Sequence, residues 1–263
     1  MQMIHRIEPV YYRSIFISDV HLGFSGCSAN YLLDFLRSSR CDYLYLVGDI
    51  IDIWQMKKKL HWPQAHNDVI RTILGKAKHG TRIIYVTGNH DEFLRDYSGM
   101  SFGNLNIVDD AIHTTRCGKK FLVIHGDQFD GVVTCSRALA LLGNAMYGLL
   151  LKANTWVNFF RRRFDLPYWS LSNMLKHKVK EAAKYISNYE TALVHEARKH
   201  KVDGIVSGHI HRAEITKLND IIYCNCGDWV ESCTALVETH KGKMELLHWA
   251  DKQKSIKEHN LAA

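Results

Sequence analysis

The sequence predicts an α/β protein whose second half changes to the α+β type, with a mixed sheet or two stacked sheets. Up to Thr87, strand-like apolar runs alternate with helical segments, which is the order of a parallel sheet built from crossover connections. From Leu105 onward the strands are short and are joined by tight turns. The chain has 263 residues, of which 46% are hydrophobic, enough for one large domain or for a core with an inserted cap.

The first half contains three strand-like runs separated by two helical segments. The predicted strands are Ser14–Ser18, Tyr43–Val47 and Arg82–Thr87, and the predicted helices are Ser28–Ser39 and Pro63–Gly80. The run Tyr43–Val47 is apolar or aromatic throughout and is closed by Gly48, as expected of a buried strand. Ser28 is available as a helix cap, and Pro63 suits the first position of a helix.

The second half is predicted to contain further strands and three tight turns. Two buried strands are expected at Phe121–Ile124 and Gly204–Ser207. Turns are expected at Cys117-Gly118-Lys119, Asn219-Asp220 and Lys241-Gly242. The sheet in this half is therefore expected to contain hairpins as well as parallel pairs.

Residues 131–201 interrupt the strand pattern with a basic and apolar segment. Helix-forming residues dominate it, and it has 12 Lys and Arg against 4 Asp and Glu, whereas the rest of the chain is close to neutral. We therefore predict a core at 1–130 and 202–251, a helical cap at 131–201 and a polar tail at 252–263. The cap is expected to lie beside the functional site, because it separates two strands that end in candidate site residues.

The cysteines and the N-terminus predict a cytoplasmic protein. The number of cysteines, 7, is odd and their spacing matches no small disulfide framework, which favours reduced thiols. Met1–Pro9 lacks the apolar run of a secretion signal. The apolar stretch Ala138–Leu151 is shorter than the roughly 20 residues that span a bilayer, so no transmembrane helix is expected.

Five of the predicted strands end in Asp, Asn or His. The residues that follow them are Asp19-Val20-His21, Asp49, Asn89-His90-Asp91, His125-Gly126-Asp127 and His209-Ile210-His211. Ligands of open α/β sheets bind beyond the carboxyl ends of the strands. Oxygen and imidazole groups collected there are the ligand set of divalent Mn, Fe, Zn or Mg. Ordinary turn residues are the alternative, but they would require the same coincidence at all five strands.

In this order the motifs D-x-H, G-D-x-x-D, G-N-H-D, H-G-D and G-H-x-H resemble the calcineurin-like metallophosphoesterase superfamily. The resemblance extends from Asp19 to His211 and implies a four-layer β-sandwich flanked by helices, with two metal ions at the strand ends. It assigns the first metal to Asp19, His21, Asp49 and His211, and the second to Asn89, His125 and His209, with Asp49 bridging both.

That ligand set implies hydrolysis at phosphorus. A carboxylate such as Asp49 can bridge two cations, which then share a hydroxide and polarise a phosphoryl group. Manganese is the first expectation for both ions, with Fe, Zn or Mg as alternatives. His90 is expected to protonate the leaving oxygen or to stabilise the transition state, and Asp91 to orient His90. Asp52 and Asp127 are interpreted as supporting or turn residues.

Within the superfamily the chain is similar to the UDP-2,3-diacylglucosamine hydrolases. The features that support this are Trp54 shortly after Asp49, the His125-Gly126-Asp127 motif and the size of the insertion. The similarity implies cleavage of a lipid-linked nucleotide into UMP and a lipid monophosphate, a cap that houses acyl chains, and a peripheral contact with the anionic cytoplasmic face of the inner membrane. One residue departs from the family, since these enzymes typically have Arg at the position of His90.

Two other interpretations remain open. In the first, the chain is a nucleotide or nucleic-acid phosphodiesterase whose basic segment binds the phosphate backbone while aromatic residues stack on bases. The aromatic residues concerned are Trp156, Phe159, Tyr168 and Trp169. In the second, the chain is a scaffold that kept the fold and lost catalysis; the presence of every motif position disfavours this interpretation.

Overall fold

The computed structural model describes residues 9–132 and 188–251, which contain two β-sheets. The strands are β1 (Val10–Ile17), β2 (Ser39–Val47), β3 (Arg82–Val86), β4 (Ser101–Phe102), β5 (Leu105–Val108), β6 (Ala111–Thr114), β7 (Lys120–Val123), β8 (Gly204–Ser207), β9 (Glu214–Leu218), β10 (Ile221–Asn225), β11 (Thr234–Glu238) and β12 (Met244–His248). The helices are α1 (Ala29–Ser38), α2 (Ile53–Lys58), α3 (Gln64–Lys78) and α4 (188–200), with 3-10 turns at Glu92–Tyr97 and Asp127–Val132.

Both sheets are mixed, and each has a parallel centre. The first has the order β12-β11-β1-β2-β3-β5-β4, with β1, β2, β3 and β5 parallel. The second has the order β6-β7-β8-β10-β9, with β7, β8 and β10 parallel. β11 runs antiparallel beside β1, with Ser14 opposite Glu238. The predicted class, two mixed sheets with helices, is confirmed.

Alternate residues of the central strands enter two different cores. Ile15 and Ile17 of β1 belong to one cluster with α1 and α3, whereas Phe16 belongs to a second cluster that includes Phe121 and Val206 of the other sheet. Successive side chains of a strand point to opposite faces, so a strand covered on both sides is apolar throughout. The sheets therefore stack face to face, and α1 and α3 cover the outer face of the first.

A buried polar network joins the two sheets. The Glu238 carboxylate is fully buried and its Oε2 lies 2.6 Å from Arg13 Nη1 and 2.8 Å from His113 Nε2. The Arg116 backbone N–H donates to Oε1 at 2.7 Å. Burial would raise the pKa of Glu238, but the hydrogen bonds from His113, Arg116 and Arg13 lower it to about 2. The carboxylate is therefore an ionised link between strands of different sheets.

Several predicted elements are confirmed, with differences at their ends. Ser28 occupies the N-cap position of α1, but its hydroxyl makes no capping bond and donates to the Val230 carbonyl instead at 3.1 Å. Pro63 is the N-cap of α3 rather than its first helical residue. β2 begins at Ser39, before the predicted start, because its polar first residues pair with Val10 and its neighbours in β1. The helix α2 was not predicted.

The three predicted turns are confirmed as hairpin connections, whereas the insertion remains a prediction. Gly118, Asn219 and Gly242 have positive φ in the β6–β7, β9–β10 and β11–β12 hairpins. The chain divides into two compact units, Met1–Gln128 with Val194–Ala263, and Phe129–Leu193. Most of the predicted cap at 131–201, the stretch Ala138–Leu151 and the tail at 252–263 lie outside the described residues. Within the described ranges no helix is long and apolar enough to cross a membrane.

Candidate metal centre

Five candidate ligands have a left-handed backbone conformation that residues other than glycine rarely adopt. Their φ angles are 51° for Asp19, 54° for His21, 55° for Asp49, 70° for His209 and 56° for His211. These residues make up most of the positive-φ residues, glycine excepted, in the described parts of the chain. Such conformations persist where surrounding contacts impose them, and they cluster at functional sites.

Backbone hydrogen bonds impose this conformation on the loops that follow β1 and β2. The Asp49 carbonyl accepts from the N–H groups of both Val20 (3.0 Å) and His21 (2.9 Å), and the Gly48 carbonyl accepts from Asp19 N–H (3.1 Å). The two loops therefore hold each other in place. These backbone hydrogen bonds position the two acidic residues, Asp19 and Asp49.

Two glycines allow groups of different strands to approach closely. A Cβ atom at Gly48 would lie 2.2 Å from His125 Nδ1, and one at Gly208 would lie 2.5 Å from Asp19 Oδ2. Real Cβ contacts of that length do not occur, so a side chain at either position would displace a candidate ligand. The glycines of the G-D and G-H-x-H motifs are therefore required by close packing at the site.

The side chains converge on two buried carboxylates. His211 Nε2 lies 3.0 Å from Asp19 Oδ1, and His125 Nε2 lies 3.4 Å from Asp49 Oδ2. His21 Nε2 lies 3.9 Å from both Asp19 Oδ1 and Asp49 Oδ2. Among the described residues, potential ligand atoms form three sets, and within each set the atoms lie within 4.8 Å of one another: Asp19, His21 and His211; His21, Asp49 and His90; Asp19, Asp49 and His125.

Several polar atoms at this site are buried without a hydrogen-bond partner among the described residues. They are Asp19 Oδ1, His21 Nε2, Asp49 Oδ2, Asn89 Oδ1, His90 Nδ1 and His125 Nε2. An unsatisfied buried polar atom costs about 1–3 kcal/mol, and such atoms are few in native proteins. Carboxylate oxygen, amide oxygen and imidazole nitrogen are donors that a divalent cation accepts together. The residues present therefore fit a divalent metal.

Asp52 orients two of the imidazoles. Its Oδ2 lies 3.0 Å from His21 Nδ1 and its Oδ1 lies 2.9 Å from His90 Nδ1. Burial would raise the pKa of this carboxylate, but the contacts with His21 and His90 lower it below its usual range. The hydrogen bond at His21 Nδ1 holds the proton there and leaves Nε2 of His21 as the free nitrogen. Both Nε2 atoms lie 3.9 Å from Asp49 Oδ2.

Asp91 does not have the position that the sequence assigned to it. Its carboxylate accepts from Gly88 N–H (2.7 Å), Ile50 N–H (2.8 Å) and the Tyr85 hydroxyl (2.6 Å), while Asp52 lies at the His90 ring. Burial and the nearby charge of Asp49 raise the pKa of Asp91. Asp91 therefore ties the loop after β2 to the loop after β3, and the expected contact with His90 is replaced by that of Asp52.

The remaining candidates lie around these groups. His209 donates its backbone N–H to Asp19 Oδ2 at 2.9 Å, and its ring centroid lies 5.1 Å from that of His125. Asn89 precedes His90, whose backbone N–H donates to Asp49 Oδ1 at 2.8 Å. His211 is the most exposed of the candidate ligands, at 36% of its side chain. Asp127 pairs with Arg95 at 2.6 Å rather than with a candidate ligand.

Two contributors were not predicted from the sequence. The Val47 carbonyl lies 2.9 Å from His125 Nδ1, which leaves His125 Nε2 facing Asp49. Because every residue has a carbonyl, no sequence signal could have indicated this contact. Trp54 of α2 packs on His90 with ring centroids 4.5 Å apart. Its proximity in sequence to Asp49 was the only available signal.

Cation binding is expected to release a proton. Burial would lower the pKa of His125, but the charges of Asp49 and Asp19 raise it to about 10 in the metal-free chain. At neutral pH that imidazole is protonated, and a cation binds it only after the proton leaves. Affinity for manganese should therefore increase by about tenfold per pH unit below pH 9.

Calorimetric titration with manganese at pH 7, in two buffers of different ionisation enthalpy, measures the number of protons released. An apparent binding enthalpy that does not change between buffers would contradict this prediction. His240→Gln removes a solvent-exposed imidazole from the β11–β12 hairpin and is the matched control, which should leave proton release unchanged.

Comparison with known proteins identifies a matching family model and several similar proteins. The model of the calcineurin-like phosphoesterase family matches residues 12–213. A UDP-2,3-diacylglucosamine hydrolase of Psychromonas ingrahamii is 24% identical over 89% of this chain and 96% of its own length. The protein of the same name from Azotobacter vinelandii is also 24% identical, over 78% of this chain and 84% of its own. The solved E. coli phosphoesterase YfcE is 12% identical with a TM-score of 0.42, covering 89% of this chain and 98% of its own.

Proposed function

The chain belongs to the calcineurin-like phosphoesterase family, and from this membership we propose that it hydrolyses a phosphoanhydride or phosphodiester bond with two divalent metal ions. The observation that supports this best is the position of Asp49. Its Oδ2 is buried, has no hydrogen-bond partner among the described residues and lies 3.4–3.9 Å from the Nε2 atoms of His125, His21 and His90. A carboxylate in that position can bridge two cations.

The proposed ligands are those that the resemblance to the family implies. Asp19, His21, Asp49 and His211 would hold the first ion, and Asp49, Asn89, His125 and His209 the second, with manganese as the proposed metal. When bound, the ions lower the pKa of water and neutralise charge on the phosphoryl oxygens. Asp52 and the Val47 carbonyl hold protons on the Nδ1 atoms of His21 and His125, so that both rings present Nε2.

His90 is proposed as the proton donor to the leaving oxygen. Its Nδ1 lies 2.9 Å from Asp52 Oδ1, and this contact orients the ring. Its Nε2 lies on the side of Asp49 Oδ2, 3.9 Å away, and its side chain is 15% exposed, so a substrate can reach it. Asp91, which contacts the loops rather than His90, is proposed to act only by holding them in place.

UDP-2,3-diacylglucosamine is the proposed substrate, because four similar proteins that align with most of this chain are named as its hydrolases. His90 in place of the usual Arg is the main reason to test this directly. The acyl-chain cap, the peripheral membrane contact proposed for it and the base-stacking residues of the phosphodiesterase alternative all lie outside the described residues. No feature of the described residues favours that alternative.

Product analysis by mass spectrometry tests the proposal. The manganese-loaded protein is incubated with UDP-2,3-diacylglucosamine and, separately, with bis-p-nitrophenyl phosphate. UMP together with the lipid monophosphate is the expected result. Cleavage of the generic diester alone would refute the lipid substrate and keep the phosphoesterase, and His90→Arg would then show whether the family residue restores lipid cleavage. Turnover of neither compound with Mn, Fe, Zn or Mg would refute the phosphoesterase.

A further inference from the structure

Asn225, the last residue of β10, is a fully buried asparagine that the proposed mechanism does not use. Its Nδ2 group donates to the Gly208 carbonyl at 2.7 Å and to the Tyr223 hydroxyl at 2.9 Å. Its Oδ1 accepts from the Gly227 N–H at 2.9 Å. Exchanging Oδ1 and Nδ2 would set donor against donor at Gly227 and acceptor against acceptor at Gly208. These contacts therefore fix the direction in which the side-chain amide faces.

The donor side of this amide holds a peptide group of the candidate metal centre. The Gly208 carbonyl and the His209 N–H belong to the same peptide group, which is planar. Asn225 binds the oxygen of this group, and Asp19 Oδ2 accepts from its N–H at 2.9 Å. With Oδ2 occupied in this way, Asp19 keeps Oδ1 on the side of His211, whose Nε2 lies 3.0 Å away. Asn225 therefore helps to determine which oxygen of Asp19 faces the site.

The turn at His209 is strained and gains support from this contact. His209 has a φ of 70°, and the Ile210 N–H donates back to the Gly208 carbonyl at 2.9 Å, which is the hydrogen bond of a γ-turn. With positive φ at its central residue, such a turn is rare and strained. Asn225 supplies a second hydrogen bond to the same carbonyl from a different strand. The conformation of a proposed metal ligand therefore depends on a residue 16 positions further along the chain.

The acceptor side of the amide reaches the loop that follows β1. Gly227 donates its N–H to Asn225, and its carbonyl accepts from the Ser18 hydroxyl at 3.0 Å. Ser18 directly precedes Asp19, whose carbonyl accepts from the Trp229 N–H at 3.0 Å. Ser18, Asp19 and Asn225 are all fully buried. One asparagine therefore connects the loop after β1 with the loop after β8.

A buried asparagine with satisfied hydrogen bonds most often contributes to stability alone. Asn225 differs because its bonds lead to Asp19 and His209, which are proposed ligands of the first and the second ion. We propose that Asn225 is a positioning residue of the metal centre, which holds the Gly208–His209 peptide so that Asp19 presents Oδ1 and His209 keeps its turn. This inference rests on the proposed function, because it assigns a task at the same site. Groups that orient metal ligands typically contribute about 10- to 100-fold to metal affinity.

Hydrogen exchange of the metal-free wild type, followed by NMR, tests the contact without any substitution. The side-chain N–H groups of Asn225 should exchange much more slowly than those of Asn104, which is exposed. Exchange at the same rate in both side chains would overturn the proposal, because the amide would not be holding the peptide.

The variant Asn225→Ala, measured in the same way, should accelerate exchange of the His209 N–H by about threefold to tenfold relative to the amides of β3, because one hydrogen bond to its peptide group is lost. Tyr223→Phe is the matched control. It removes an acceptor of the same buried amide, but it keeps the bond to the Gly208 carbonyl and leaves Ser207 Oγ as an acceptor at 3.3 Å. Equal acceleration in the two variants, or acceleration spread evenly over β3, would overturn the proposal.

Calorimetric titration with manganese at pH 7 measures the consequence for the metal centre. Asn225→Ala should bind manganese about 10- to 100-fold more weakly than the wild type, and Tyr223→Phe should bind it within about threefold of the wild type. Urea unfolding of both variants separates this effect from a loss of stability. If the wild type cleaves bis-p-nitrophenyl phosphate and Asn225→Ala matches it in His209 exchange and manganese affinity, this inference alone is refuted. A wild type that binds manganese and cleaves no phosphoester, with the expected differences between the variants, refutes only the proposed function.

Discussion

Replacing Asp49 with Asn is expected to reduce turnover of bis-p-nitrophenyl phosphate by about 1000-fold or more. The substitution keeps the size of the side chain but removes a charge and one acceptor oxygen from a fully buried position. Metal assistance to phosphoryl transfer is worth several kcal/mol, and about 4 kcal/mol corresponds to a thousandfold change in rate. The expected loss is this large because the carboxylate faces the proposed positions of both ions.

The measurement is kcat/KM over a manganese titration, so that weaker metal binding and slower chemistry are separated. Asp220→Asn is the matched control, because Asp220 is a 66% exposed aspartate that pairs with Arg198 on the surface. The control should behave as the wild type. A rate for Asp49→Asn within tenfold of wild type at saturating manganese would refute the bridging role.

Replacing Glu238 with Ala is expected to lower the free energy of unfolding by about 3 kcal/mol. Removing one partner of a buried ion pair costs about 3–5 kcal/mol, because the other partner remains buried without its counter-charge. The lower end of this range applies because the Arg13 side chain is 21% exposed and can be partly solvated after the substitution. The His113 side chain is only 2% exposed, so it remains buried without its partner. Urea unfolding at pH 7 measures the difference.

Glu245→Ala is the control for that measurement. Glu245 lies on the neighbouring strand β12, is 39% exposed and pairs with Lys243 at 3.0 Å. Exposed pairs of this kind contribute at most about 1 kcal/mol. If the two variants were equally stable, the network between the sheets would have no special energetic role.

The lowered pKa of Glu238 predicts the pH range over which this contribution disappears. Its folded pKa, about 2, lies below the ordinary value of 4.5. A depressed carboxylate pKa stabilises the fold fully above the unfolded value, and the contribution is lost as pH falls toward the folded value. The stability difference between wild type and Glu238→Gln should therefore shrink between pH 5 and about pH 2.

The sheet and the candidate ligands could be predicted because they depend on simple rules. A strand buried on both faces is apolar throughout, as Tyr43–Val47 is. Parallel strands bring their carboxyl ends to one edge of a sheet, so Asp49 after β2 and His90 after β3 lie close together. Both rules act through composition and order, which the sequence displays directly.

Other features could not be predicted because they depend on contacts between individual atoms in the folded protein. Asp52 and Asp91 lie at similar distances in sequence from candidate ligands, and only the tertiary structure places Asp52 at His90. α2 buries no residue, so it has no apolar periodicity to detect. Positive φ at Asp19 and Asp49 also has no sequence signature, since glycine is the usual residue there.

The pairing of β1 has a consequence for the order in which the nascent chain can fold. β1 lies between β2, which follows it closely, and β11, whose Glu238 pairs with Ser14. One edge of β1 therefore stays unpaired until most of the chain has been synthesised, and an unpaired edge can associate with other chains. His209 and His211 also emerge late. A ribosome-bound chain stalled before β8 should therefore be able to form the first three parallel strands. The edge of β1 that pairs with β11 in the complete fold would still be exposed to chaperones.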